Sequence, residues 1–186
     1  SYLGGGIFNE NASSITIINS IISNNYANSS GGGMENTNAS ATISNSTISN
    51  NYAAHSGGGM SNNVASLIIN NSFFTDNSCY YFGGGIHSES ASTLVIDSTT
   101  FDNNTAKDGA GIFNNNSTST ITNSVFSNNA SRWQAGGLFM FSSSLSLTNT
   151  IFKNNSAVAS GGGIYSETSS STITNSTFAN NSAGYD

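Results

Sequence analysis

Apolar side chains return along this chain at a beat of about 26 residues. One column reads Ile7, Met34, Met60, Ile86, Ile112, Leu138 and Ile164. A second reads Ile17, Ile43, Ile69, Ile96, Ile121, Leu147 and Ile173. A third follows it by five residues: Ile22, Ile48, Phe74, Phe101, Phe126, Phe152 and Phe178. Around the second column apolar and polar residues alternate, as in Ser171-Thr172-Ile173-Thr174, which is the period-two pattern of a short strand. Glycine opens each repeat, as Gly-Gly-Gly from Gly4, Gly31, Gly57, Gly83 and Gly161, with near-copies from Gly109 and Ala135. The intervals are 27 residues once and 26 five times. A beat this regular predicts a solenoid rather than a disordered chain.

The repeats are 4–30, 31–56, 57–82, 83–108, 109–134, 135–160 and 161–186, in a single domain spanning 1–186. Three inward columns per repeat predict an all-β parallel β-helix, or β-solenoid, of seven coils with three short strands and three corners each. Coils stacked about 4.8 Å apart make a rod roughly 34 Å long. In-register stacking places like residues over like, and two asparagine ladders follow. One runs Asn19, Asn45, Asn71, Asn123, Asn149 and Asn175, with Ser98 in the fourth coil. The other, Asn25, Asn51, Asn77, Asn104, Asn129, Asn155 and Asn181, is unbroken. Asparagine tolerates a left-handed corner, and its amide can bond to the amides above and below it, so both ladders are expected at turns.

Composition changes its meaning in this light. Asn, Ser and Thr make up 85 of the 186 residues, a share that would otherwise suggest disorder. With only Lys107, Arg132 and Lys153 as basic residues and a net charge of −6, the chain is not suited to neutralise a phosphate backbone, so nucleic acid is not an expected partner. No apolar run is long enough for a membrane span. One cysteine, Cys79, excludes an intrachain disulfide or a cysteine zinc cluster. No amino-terminal signal pattern is visible, which leads to the expectation of a mature or excised segment.

Each repeat pairs Gly-Gly-(Gly/Ala)-(Ile/Leu/Met) with Phe/Ile-x-x-Asn, as in Gly161-Gly162-Gly163-Ile164 and Phe178-Ala179-Asn180-Asn181. This resembles the repeat of the chlamydial polymorphic outer-membrane proteins, over essentially the whole chain. The resemblance implies a right-handed parallel β-helix, exported to the cell surface and acting as an adhesin-like stalk. It also implies a carboxy-terminal autotransporter barrel, for which the seven repeats leave no room within these residues.

Carbohydrate-active β-helices need convergent carboxylates, and here the acids scatter over different coils. Glu10, Glu89 and Glu167 share a column but belong to coils one, four and seven, and Glu35 sits in coil two. Asp76 and Asp102 form the best carboxylate pair, better read as aspartates standing in for corner asparagines. His55 and His87 have no second ligand at metal spacing. Cys79 takes a column otherwise held by alanines such as Ala53 and Ala106, so it reads as a small packed residue. The glycine triplets lack the Gly-Lys-Ser/Thr of a phosphate loop. No catalytic residue, metal or cofactor is therefore expected. Twelve Asn-x-Ser/Thr sequons occur, close to what composition alone produces.

Two arrays point to surfaces. Thr120, Thr122, Thr148, Thr172 and Thr174 flank the second column as in ice-binding β-solenoids, but Ile18, Ile68 and Val95 interrupt the rank. Phe113, Phe139 and Tyr165 each follow the first column by one residue, so alternation turns them outward on three consecutive coils. Tyr26, Tyr52, Tyr80, Tyr81, Phe82, Trp133 and Tyr185 add aromatics near the variable corner. The expected contact surface is thus Phe113, Phe139, Tyr165, Tyr80, Tyr81 and Trp133. Neither end of the repeat array shows a cap, which suggests a segment of a longer solenoid or a head-to-tail filament. The expectation is a non-enzymatic extracellular or cell-surface structural protein whose partners are its own copies, a surface glycan, or a host or cell-surface protein. The alternatives are a glycan-binding or glycan-cleaving β-helix and an ice-binding solenoid.

Overall fold

In the computed structural model, which describes residues 2–184, the chain winds as a parallel β-solenoid of seven coils. The three columns stack in the expected register. Ile7 lies beside Met34, Ile17 beside Ile43 and Ile22 beside Ile48, and each column continues through to the seventh coil. Most of their side chains in the inner coils are fully buried, including Ile43, Ile69, Phe74, Phe101 and Phe126. The phenylalanines of the third column stack face to face, with ring centroids 5.0, 4.8, 4.5 and 5.0 Å apart from Phe74 to Phe178. Those separations match the coil spacing, so each ring gains an offset π contact without leaving its strand.

Four strands, not three, make each coil. The first coil uses Ile7–Glu10, Ser14–Ile18, Ile21–Ser23 and Tyr26–Ala27, and each has its counterpart in every later coil. The additional strand was hidden because the residue it turns inward is small. Ala27, Ala53, Cys79 and Ala106 are buried there at 0–2% exposure, with no large apolar column to mark the strand. Two further inward columns also escaped notice because their residue type changes from coil to coil. One includes Ala41, Leu67, Leu94, Ser119 and Leu145; the other includes Asn36, Asn62, Ser88, Asn114 and Met140. The buried amides Asn9, Asn36 and Asn62 form a short third ladder, with Nδ2 donating to the next Oδ1 at 2.7 and 2.8 Å.

The corners divide the labour between neighbouring asparagines. The outer ladder is left-handed as expected, with φ near +50° at Asn19, Asn45, Asn71, Asn123, Asn149 and Asn175. In the inner ladder the left-handed residue is the one before, such as Asn50 or Asn103, at φ 54° in both. The ladder residue itself points inward. Asn77 Nδ2 donates to the Ile48 carbonyl at 2.9 Å and to Asn104 Oδ1 at 3.1 Å, and its backbone N–H donates to the same Oδ1 at 3.1 Å. Equivalent amide-to-amide bonds run from Asn25 to Asn181. A hydroxyl ladder serves the preceding corner, with the Ser46 N–H donating to Ser72 Oγ at 3.2 Å and the Thr99 N–H to Ser124 Oγ at 3.2 Å. Buried turn amides thus find side-chain acceptors one coil away.

Glycine is favoured where the chain leaves the variable corner. Gly83 has φ +70°, and a Cβ there would lie 2.2 Å from the Ile86 carbonyl oxygen. The sixth coil places Ala135 at the same position with φ 57° and closes the turn regardless.

Candidate functional site: an aromatic and acidic groove

The outer face of the first sheet carries two ranks of side chains. One reads Phe8, Glu35, Ser61, His87, Phe113, Phe139 and Tyr165 along the axis. The other reads Glu10, Thr37, Asn63, Glu89, Asn115, Phe141 and Glu167. Beside them the variable corner rises as a crest, held coil to coil by parallel bridges from Ser30 to Ser56, Phe82 and Asp108. Between sheet and crest lies a groove of about 520 Å³, lined by Ser29, Ser30, His55, Ser56, Phe82, His87, Glu89, Phe113, Asn115 and Phe141, with Tyr2 at one end.

The crest corrects the expected aromatic strip. Phe113 and Phe139 point away from the solenoid core, yet they are only 8% and 6% exposed. The Phe82 ring folds over them, 4.6 Å from Phe113, and Phe113 stacks on Phe139 at 4.6 Å. Tyr165 is half-buried at the end of this stack, 5.1 Å from Phe139. Tyr80, Tyr81 and Trp133 are exposed on the crest, 55%, 37% and 41%. There Arg132 covers the Tyr80 ring at 5.3 Å and donates to the Tyr80 carbonyl. The expected strip is therefore two surfaces, a sheltered aromatic floor and an exposed crest. Tyr185 lies outside the described residues.

Ionisable groups gather in the groove although they come from different coils. His87 is 5% exposed, with rings of Phe82 and Phe113 centred 6.1 and 5.5 Å away. Burial lowers its pKa to about 4, with His55 adding to the effect, so the imidazole is neutral at pH 7. Its Nε2 lies 3.9 Å from Glu89 Oε2, beyond hydrogen-bond reach, and its buried Nδ1 has no partner in the structure. Burial also raises the pKa of Glu89, which His55 opposes. Glu35, 3% exposed in the rank of His87, is raised mainly by burial and further by the charge of Glu89. Thr37 Oγ1 donates to Glu35 Oε1 at 2.8 Å, while Oε2 is buried without a partner. A buried carboxylate and a buried imidazole with unmatched atoms are costly for a fold alone.

The other sequence candidates stand apart. Asp76 and Asp102 act at corners, accepting from Asn103 Nδ2 at 2.5 Å and Asn128 Nδ2 at 2.7 Å. Cys79 is buried and free, its thiol pushed up to about 12 by burial. Among the described residues no three His, Cys, Asp or Glu side chains converge to hold a metal ion, and no helix is long and apolar enough to cross a membrane. Glu35, His87 and Glu89 were not assembled from sequence: His87 and Glu89 share the fourth repeat, but Glu35 comes from the second, 52 residues before His87. The signal is present in the ranks one and three residues after the first apolar column, read down the coils rather than along the chain.

A search of curated proteins and a search of solved structures found no match. The family model described as "Right handed beta helix region" matches residues 5–183. Its extent agrees with the coils seen here, and the chain belongs to the right-handed β-helix family.

Proposed function

We propose that this chain is a non-enzymatic, extracellular structural protein, a β-solenoid segment of a cell-surface stalk or adhesin that also stacks head to tail with its own copies. The observation that carries this reading is the inner asparagine ladder, which passes through all seven coils from Asn25 to Asn181 without a break. A ladder of this kind adds the same hydrogen bonds with every coil, so stiffness extends with length. The chlamydial-type repeat resemblance supports a surface location. Scarcity of charge supports stacking, because like charges about 4.8 Å apart repel. The seventh coil leaves Ile173 and Phe178 at 47% and 45% exposure, in columns that are fully buried further in. In a head-to-tail stack a second copy would cover that apolar area.

Electron microscopy of the purified chain tests the reading. Straight rods that lengthen with concentration are expected. Rods of a single length at every concentration overturn self-stacking, and flexible or globular particles overturn the stalk. Labelling of intact cells with antibody to the chain tests the location; signal only after permeabilisation overturns it.

A second reading is favoured by the groove, in which Phe82, Phe113 and Phe141 meet Glu89 and His87. Aromatic faces with a few placed polar groups suit a sugar chain laid along the axis. A glycan array with no hit above background at high micromolar protein excludes it.

A further inference from the structure

The groove's chemistry narrows the ligand beyond a glycan in general, and the narrower ligand rests on the glycan-binding reading. The groove offers aromatic surface from Phe82 and Phe141 over the covered Phe113, and its polar wall offers His55, Glu89, Asn115 and His87. None of the three lysine and arginine side chains lines it. Lys107 faces Asp108 at 3.9 Å, and Arg132 is held on the backbone of Tyr80 and Cys79. The groove therefore holds the Glu89 carboxyl with no lysine or arginine beside it, His55 and His87 being the basic side chains of its lining, in a chain of net charge −6. One buried polar atom in its wall is unmatched, Nδ1 of His87, whose side chain is 6% exposed. A carboxylate only accepts, and a neutral imidazole keeps one bare nitrogen lone pair beside its one N–H, so a donor placed between Glu89 and His87 can be accepted by both. Aromatic faces add attraction for a cation and an apolar bed for a C–H face.

We propose that the groove binds an amino sugar chain, with a protonated amine set beside Glu89 and His87 and the sugar rings lying on Phe82 and Phe141. The ammonium supplies a donor that Glu89 and the bare nitrogen of His87 can accept. Ring hydroxyls meet Asn115 and the serines of the opposite crest, Ser29, Ser30 and Ser56. These hydroxyl and amide groups favour a sugar over a lysine side chain or a polyamine, which has no hydroxyls to match them.

Isothermal titration calorimetry on the intact chain separates the parts of this proposal. The probes are a β-1,4-linked glucosamine tetramer, its fully N-acetylated counterpart, and cadaverine. The glucosamine tetramer is expected to bind at least about tenfold tighter than either of the others. Glu89→Gln is expected to weaken the glucosamine tetramer about tenfold and leave the N-acetylated one unchanged, and Phe141→Ala to weaken both sugars. Circular dichroism and the melting temperature verify that each variant is folded. Equal binding of the two tetramers overturns the ammonium and leaves the glycan reading standing. Cadaverine binding as tightly as the glucosamine tetramer overturns the sugar and points to a protein or polyamine amine. No binding of any probe overturns the proposal; whether the glycan reading falls with it is decided by the array.

Discussion

Asn104→Ala tests whether the inner ladder, and not the apolar columns alone, holds the coils in register. Asn104 Oδ1 accepts the Asn77 backbone N–H and Nδ2, both at 3.1 Å. Its own Nδ2 donates to the Phe74 carbonyl at 2.9 Å and to Asn129 Oδ1 at 3.0 Å. Truncation leaves the Asn77 N–H and one Asn77 amide hydrogen without partners, in a place that water does not reach, while the Phe74 carbonyl, paired in its sheet with the fourth coil, loses only its side-chain donor. Asn129 Oδ1 still receives the backbone N–H of residue 104, so it is not orphaned. Two buried orphans at about 1–3 kcal/mol each predict a loss of about 2–6 kcal/mol. Asn181→Ala removes the same chemistry from the half-buried last coil, where water can replace the lost bonds, and is expected to cost about 1 kcal/mol. Urea unfolding followed by circular dichroism compares the two. Amide exchange at Asn77 locates the damage even if the coils unfold in more than one step. Equal losses for the two variants, or a loss below about 1 kcal/mol at Asn104, refute the idea that the ladder's value lies in satisfying buried amides.

The groove predicts opposite pH responses from its two kinds of group. His87 has its pKa lowered from 6.5 to about 4, so between those values the unfolded chain binds a proton that the folded chain refuses. Its contribution is complete above pH 6.5 and lost as pH falls to about 4, so His87→Phe should resist acid unfolding better than wild type by up to about 3 kcal/mol. Parallel stability curves for the two would refute this. Glu35 has a raised pKa, so its contribution is present below its unfolded value and lost as pH rises through the folded one. Glu35→Gln should therefore raise the melting temperature more at pH 7.5 than at pH 4, as read from melting curves. Gly83→Ala should cost about 1–2 kcal/mol in urea, the strain of a left-handed alanine, because Ala135 shows that the turn can accommodate the methyl group. An ice-recrystallisation assay at high micromolar protein should show no inhibition, since Ile18, Ile68 and Val95 break the threonine rank on the second sheet.

Residues that repeat in kind were legible from the chain alone. Isoleucine over isoleucine in the second column and phenylalanine over phenylalanine in the third imposed the register, since a slip by one residue turns every strand inside out. The unbroken Asn25-to-Asn181 ladder was legible for the same reason, although its residues are not themselves left-handed. Positions that vary in kind were not. The fourth strand hides behind alanine and Cys79, and the column through Leu67 and Leu94 hides behind Ala41 and Ser119.

What the sequence determined by itself is the periodic part: coil length, stacking register and the polar chemistry of the corners, all of which come from identical residues recurring at one interval. What only the tertiary structure decided is the groove. Period-two alternation says that Phe113 and Phe139 face away from the core, but cannot say that the crest folds back to cover them. Glu35, His87 and Glu89 lie up to 54 residues apart and have no shared motif. Stacking brings such residues within a few coil spacings of one another, and burial under the crest then changes their protonation. Local pattern governs which way a side chain points; its electrostatic surroundings depend on what the rest of the chain lays over it.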